Sequence, residues 1–140
     1  MTYLVERLGE LRAHVRHVER LRDRVSAADD LRRDRSLHND LLFSLLMIAQ
    51  LVVDVAGELS ARDGRAFDDY TTAVRNLAAL GMSSEIVEGL TPLPGFRNVV
   101  LHDYVELDLD RAVEAMHRLG PVEDFIRAVA QMEQEGGELA

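Results

Sequence analysis

Leu41-Leu42-Phe43-Ser44-Leu45-Leu46-Met47-Ile48-Ala49-Gln50-Leu51-Val52-Val53-Asp54-Val55-Ala56 is the most apolar stretch of the chain. It lacks the alternation of a half-buried strand and is apolar on most sides of a helix, so it belongs in the centre of a helical bundle. Its charge-free part, Leu41 to Val53, is shorter than the roughly 20 apolar residues that span a bilayer, and Asp54 follows at once. Gln50, Asp54 and Glu58 step by four and leave one thin polar stripe. The pattern predicts a helix from about Leu37 to Arg62, ended by Arg62-Asp63-Gly64-Arg65 with Gly64 near the C-cap.

Towards the N-terminus, Leu4, Leu8, Leu11, Val15, Val18, Leu21 and Val25 recur at steps of three and four. They predict one long amphipathic helix from Thr2 to about Asp34, with a polar break between Asp29 and Leu37. Towards the C-terminus a helix is expected over Ala66–Leu80, stopped by Gly81. Ser83 or Ser84 can cap a short helix reaching about Gly89. Thr91-Pro92-Leu93-Pro94-Gly95 punctuates the chain most strongly, and Phe96 to about Tyr104 reads as helical. Asp108 or Asp110 starts a last helix towards Gln134, with a kink or break at Gly120-Pro121 and a frayed tail over 135–140. No repeat or low-complexity linker divides the chain. One all-α domain over 1–140 is expected, an antiparallel bundle of about five to six helices.

The composition limits the chemistry. With 47% hydrophobic residues the chain can bury a core, and with 5% aromatics that core is built from aliphatic side chains. The absence of Cys excludes disulfides, thiolate metal sites and cysteine nucleophiles, and suits a cytoplasmic protein. Met1 to Arg7 has no basic region followed by an apolar one, so no secretory signal is expected. The net charge is -9 and all 16 basic residues are Arg. A protein that coats nucleic acid without specificity is basic; this one can meet RNA only through a local site.

Gly95-Phe96-Arg97-Asn98-Val99-Val100-Leu101-His102-Asp103-Tyr104 is where such a site is expected. Histidine exchanges protons near neutrality. Arginine stays charged and grips phosphate with two hydrogen bonds. Asparagine can position a hydroxyl or a phosphate oxygen. On a helix Asn98 and His102 share a face, Arg97 and Tyr104 share another, and Arg97 and His102 diverge by about 140°. To act on one atom they need a wrapped Arg side chain, an irregular helix, or a second subunit. The plainer reading is a capping and packing set.

The segment resembles the signature of the HEPN superfamily, an Arg followed after four to six residues by His. Extended to Tyr104 it is similar to the Arg-x4-His-x-Tyr motif of HepT toxins. The order of elements from about Leu37 to Val129 resembles that family too; the first helix matches only in length and character. The resemblance implies a metal-independent endoribonuclease in a toxin–antitoxin pair, with no cofactor. It implies that His102 exchanges the proton of a ribose 2′-hydroxyl, that Arg97 stabilises the charge on the phosphate, and that Asn98 positions one of the reacting groups. It further implies a homodimer whose two motifs face one cleft, RNA and not DNA or membrane as the target, and an MntA-like nucleotidyltransferase antitoxin that adds AMP to Tyr104.

Other candidates have bland alternatives. His14 and His17 can hold a metal or be solvated. Asp54 can orient Arg97 or form a structural pair. Asp103 can bond within the motif or face water, and Asp108-x-Asp110 suits capping better than a metal. His38 and His117 have no evident partner. The rival function is a non-catalytic dimeric module that binds a nucleotide or serves mainly as the substrate of a nucleotidyltransferase.

Overall fold

The computed structural model describes residues 2–139, with side chains over 3–136. All regular structure among them is helical: α1 (Thr2–Leu21), α2 (Ala28–Arg33), α3 (Arg35–Arg62), α4 (Tyr70–Arg75), α5 (Ser84–Leu90), α6 (Pro92–His102), α7 (Leu109–Met116) and α8 (Gly120–Leu139), with short 3-10 turns between. The apolar helix α3 is the axis of the bundle. By length and composition alone it could cross a membrane, but 61% of its most apolar stretch is buried inside the protein. Leu41, Leu45, Ile48, Val52 and Val55 are covered on several sides at once.

α1 lies antiparallel to α3, since His14 meets Ser44 and His17 meets Asp40. Its seam residues Leu4, Leu8, Leu11, Val15, Val18 and Leu21 are all buried. α6 also runs antiparallel to α3: Arg97 reaches Gln50, and Tyr104, just beyond the helix, reaches His38. α8 closes the bundle against α1 and α5, and Arg62 at the end of α3 pairs with Glu133 at 2.6 Å.

The long first helix expected to Asp34 is interrupted. A 3-10 turn over Arg22–Arg24 leads to extended Val25, and α2 follows. The Asp30 carboxylate accepts the N–H groups of Ser26 and Ala27, which holds its pKa below the usual value. Val25, Ala28 and Leu31 stay buried across the break, so hydrophobic spacing alone could not reveal it. Asp34 caps α3 by accepting the N–H of Leu37, within the break foreseen between Asp29 and Leu37.

Three other boundaries differ from expectation. Residues 66–69 are not helical; Asp69 starts α4 by accepting the N–H of Thr72, and Gly81 ends the following 3-10 turn at φ 95°. α6 begins at Pro92, where a break had been expected. Proline is tolerated there because the first N–H groups of a helix have no intrahelical partner. The last helix is two, α7 and α8, parted before Gly120, at the break expected for Gly120-Pro121. Arg22 fastens the end of α7 by donating to the Met116 carbonyl at 3.0 Å. With the division at residues 22–27, this raises the five to six helices expected to eight. The backbone of α8 runs on to Leu139, past the end expected near Gln134 and into the tail read as frayed; a helical glycine costs only about 1 kcal/mol. Ala140 lies outside the described residues.

α5 and α8 touch at Gly89, where an added Cβ would lie 2.4 Å from Pro121 Cγ. The proline ring cannot swing aside. Gly89→Ala is therefore expected to destabilise by about 1–3 kcal/mol through overpacking, outweighing alanine's better helix propensity of about 1 kcal/mol. A urea titration checks this; an unchanged or raised midpoint contradicts the close approach.

Candidate active site

α6 is an uninterrupted α-helix from Pro92 to His102. Its inner face is set by Pro94 and Phe96, both buried, with Leu93 and Val100 partly buried against the core. Arg97 follows Leu93 by four and so faces α3, whereas Asn98, Leu101 and His102 are exposed.

The Arg97 side chain is held at three points. Its Nε donates to Gln50 Oε1 at 2.5 Å. Its Nη1 donates to Asn98 Oδ1 at 3.0 Å. Its Cζ lies 5.0 Å from the centre of the Tyr70 ring. Gln50 in turn donates to Asp54 Oδ1 at 2.8 Å. Asp54 thus reaches Arg97 through Gln50 rather than by direct pairing. The guanidinium is oriented by neutral groups and keeps its charge for an incoming anion. Of the polar stripe on α3, Gln50 and Asp54 serve this relay, while Glu58 pairs with Arg62 at 3.4 Å.

Asn98 and His102 stand one turn apart on the exposed face. Asp103 ends α6 with φ -145° and ψ 41°, and Tyr104 begins a 3-10 turn to Glu106. The expected shared face for Arg97 and Tyr104 is therefore not formed, because the helix stops between them. Tyr104 folds back to α3 instead. Its hydroxyl lies 3.4 Å from both ring nitrogens of His38, with the rings edge-to-face at 6.1 Å. His38 is buried, and Tyr104 is 44% exposed. Asp103 is exposed.

The arrangement brings Arg97, Asn98 and Asp54 into one network and leaves His102 outside it. Since α6 is regular, Arg97 and His102 keep the divergence of about 140°, and the Arg97 side chain bends to Gln50, not round the helix to His102. Beside Asn98 a groove of about 450 Å³ is lined by Phe67, Asp68, Asp69, Tyr70 and Pro94. Its carboxylates repel phosphate, and the Thr72 N–H and hydroxyl hold the pKa of Asp69 below the usual value.

Tyr70 was not singled out from sequence, Gln50 was read only as part of the polar stripe, and His38 only as a histidine without an evident partner. Gln50 left a trace: a polar side chain on a largely buried helix needs a partner. Tyr70 left none. His38 lies within the core spacing of Leu37, Leu41 and Leu42, where an apolar residue is the rule. His14 and His17 go to separate partners, Ser44 at 3.1 Å and Asp40 at 2.8 Å. Asp108 caps α7 by accepting the Asp110 N–H, and His117 is exposed. Among the described residues no three His, Cys, Asp or Glu side chains are grouped to hold a metal.

Comparison with known proteins gives consistent results. The family model described as "Ribonuclease HepT-like" matches residues 11–129. The mRNA nuclease HepT of Shewanella oneidensis is 22% identical over 120 residues, covering 81% of this chain and 88% of that protein. A crystal structure described as a toxin–antitoxin with AMP-PNP matches with a TM-score of 0.80 at 17% identity, over 94% of this chain and 99% of that one. The tri-AMPylated HEPN toxin of Shewanella oneidensis in complex with its MNT antitoxin matches with a TM-score of 0.77 at 18% identity, over 91% of this chain and 96% of that one.

Proposed function

We propose, because this chain belongs to the ribonuclease HepT-like family, that it is a metal-independent endoribonuclease toxin silenced by adenylylation of Tyr104. The observation that carries this is the preset guanidinium of Arg97, oriented by Gln50 and Asn98 with no neutralising carboxylate in direct contact among the described residues. His102 removes the proton from a ribose 2′-hydroxyl. The 2′-oxygen attacks the adjacent phosphorus, the bond to the 5′-oxygen breaks as His102 gives the proton to that oxygen, and a cyclic 2′,3′-phosphate and a 5′-hydroxyl result. Arg97 stabilises the negative charge that builds on the phosphoryl oxygens. Asn98, on the exposed face with His102, steadies the scissile group.

Two copies of the chain form the working site. The regular α6 and the inward bend of Arg97 leave a second copy as the way for both groups to meet one phosphate. Leu101 and Val105, 45% and 91% exposed beside His102, give that contact an apolar surface. The partner is an MntA-like nucleotidyltransferase, a reading supported by the tri-AMPylated Shewanella toxin held by its MNT antitoxin. Adenylate on Tyr104, two residues from His102, adds bulk and negative charge where RNA must lie. The pair acts in the cytoplasm.

The test is RNA cleavage by purified protein in excess EDTA. Expected are fragments with cyclic 2′,3′-phosphate and 5′-hydroxyl ends. Cleavage that needs a divalent cation overturns the mechanism. No cleavage by unmodified protein favours the rival, a non-catalytic substrate of its nucleotidyltransferase.

A further inference from the structure

We propose that His38 is the proton acceptor for adenylylation of Tyr104, so that the toxin itself supplies a catalytic group to the reaction that silences it. This rests on Tyr104 being the acceptor. Nothing in RNA cleavage as described above uses His38, yet the Tyr104 hydroxyl lies 3.4 Å from both ring nitrogens of this buried imidazole. Of the two nitrogens, Nδ1 has the nearer partner, Asn39 Oδ1 at 3.0 Å. In the tautomer that donates from Nδ1 to this carbonyl oxygen, Nε2 carries the lone pair. The phenol hydroxyl then donates to Nε2. Catalytic hydrogen bonds are often long before the reacting partner arrives and shorten with it.

The surroundings fit the role. His38 is fixed in the first turns of α3 between buried Leu37 and Leu41. Tyr104 rides on the 3-10 turn after α6 and is 44% exposed, so the residue is open to an approach from solvent. In the step, the phenol oxygen attacks the α-phosphorus of a nucleoside triphosphate carried by the partner enzyme. The new bond is O–P, the α-phosphorus bond to the pyrophosphate oxygen breaks, and pyrophosphate leaves. The phenol proton passes to His38 Nε2 and from there to water. Without an acceptor the phenol attacks while still protonated, which is the slower path.

The experiment follows single-turnover AMP transfer from ATP to purified toxin by the partner nucleotidyltransferase, located by peptide mass spectrometry. Wild type, Tyr104→Phe, His38→Gln and Asn39→Ala are compared. In His38→Gln the maximal rate is expected to fall about 10²-fold, with the toxin concentration giving half-maximal rate and the melting temperature unchanged. Asn39→Ala, at an exposed position, is expected to fall less but in the same parameter. An unchanged rate in His38→Gln overturns the proposal, as does a loss confined to half-saturation. If His38→Gln does not fold, Asn39→Ala decides: a wild-type rate overturns the proposal and a lower maximal rate supports it. Label on wild type that persists in Tyr104→Phe refutes the acceptor assignment itself, a separate result from a fast His38→Gln.

Discussion

RNA cleavage by His102→Ala is expected to fall about 10³- to 10⁴-fold, towards the upper end of what general acid–base catalysis contributes. The size follows from the proposed two-fold site. Each proposed pairing of one chain's Arg97 with the other chain's His102 holds one imidazole, which takes the 2′-hydroxyl proton and returns it to the departing 5′-oxygen, so the substitution removes base and acid together. Folding should be spared, because His102 is exposed at the end of α6; a change within about 0.5 kcal/mol is expected for such a surface position. Arg97→Ala is expected to lose about 10²- to 10³-fold, the usual cost of removing one donor to a developing negative charge. Initial rates in EDTA, read beside thermal melts, separate chemistry from stability. Wild-type cleavage by well-folded His102→Ala protein leaves the imidazole without a role.

What could be read from sequence was whatever is encoded within a few turns. α3 was legible almost to the residue, because its apolar stretch, the Asp34 region and the Gly64 stop are local signals. The Ser83 cap of α5 and the Asp108 cap of α7 were legible for the same reason. Pro92 and Pro94 misled, since the same residue that breaks a helix interior is welcome in a first turn. The helix division at residues 22–27 was hidden because Val25, Ala28 and Leu31 keep to the buried side without a continuous helix.

The site divides along the same line. Arg97, Asn98, His102 and Tyr104 stand out as a motif within one short segment. Their orientations depend on residues far away in the chain. Gln50 is 47 positions from Arg97, and His38 is 66 from Tyr104. Periodicity carries no information about such pairs. The consequence for Asp54 is instructive: the sequence suggested the right side of the right helix, but its carboxylate acts one hydrogen bond further back, through Gln50.

A heterodimer of one Arg97→Ala chain and one His102→Ala chain is expected to recover about half of wild-type cleavage, although each parent homodimer is nearly inactive. The prediction follows from the geometry of α6. Arg97 points to Gln50 on α3 while His102 is exposed at the helix end, so the proposed site pairs the guanidinium of one chain with the imidazole of the other. In the mixed dimer one such pairing keeps both groups and the other has neither. Two different affinity tags, followed by tandem purification after co-expression, isolate the mixed species; its rate in EDTA is compared with both parents. If Arg97 and His102 serve one phosphate from within the same chain, every site in the mixed dimer lacks one of them and activity stays at the parental level. A strictly monomeric protein would leave no mixed species to isolate, and it would remove the shared cleft together with the mechanism built on it.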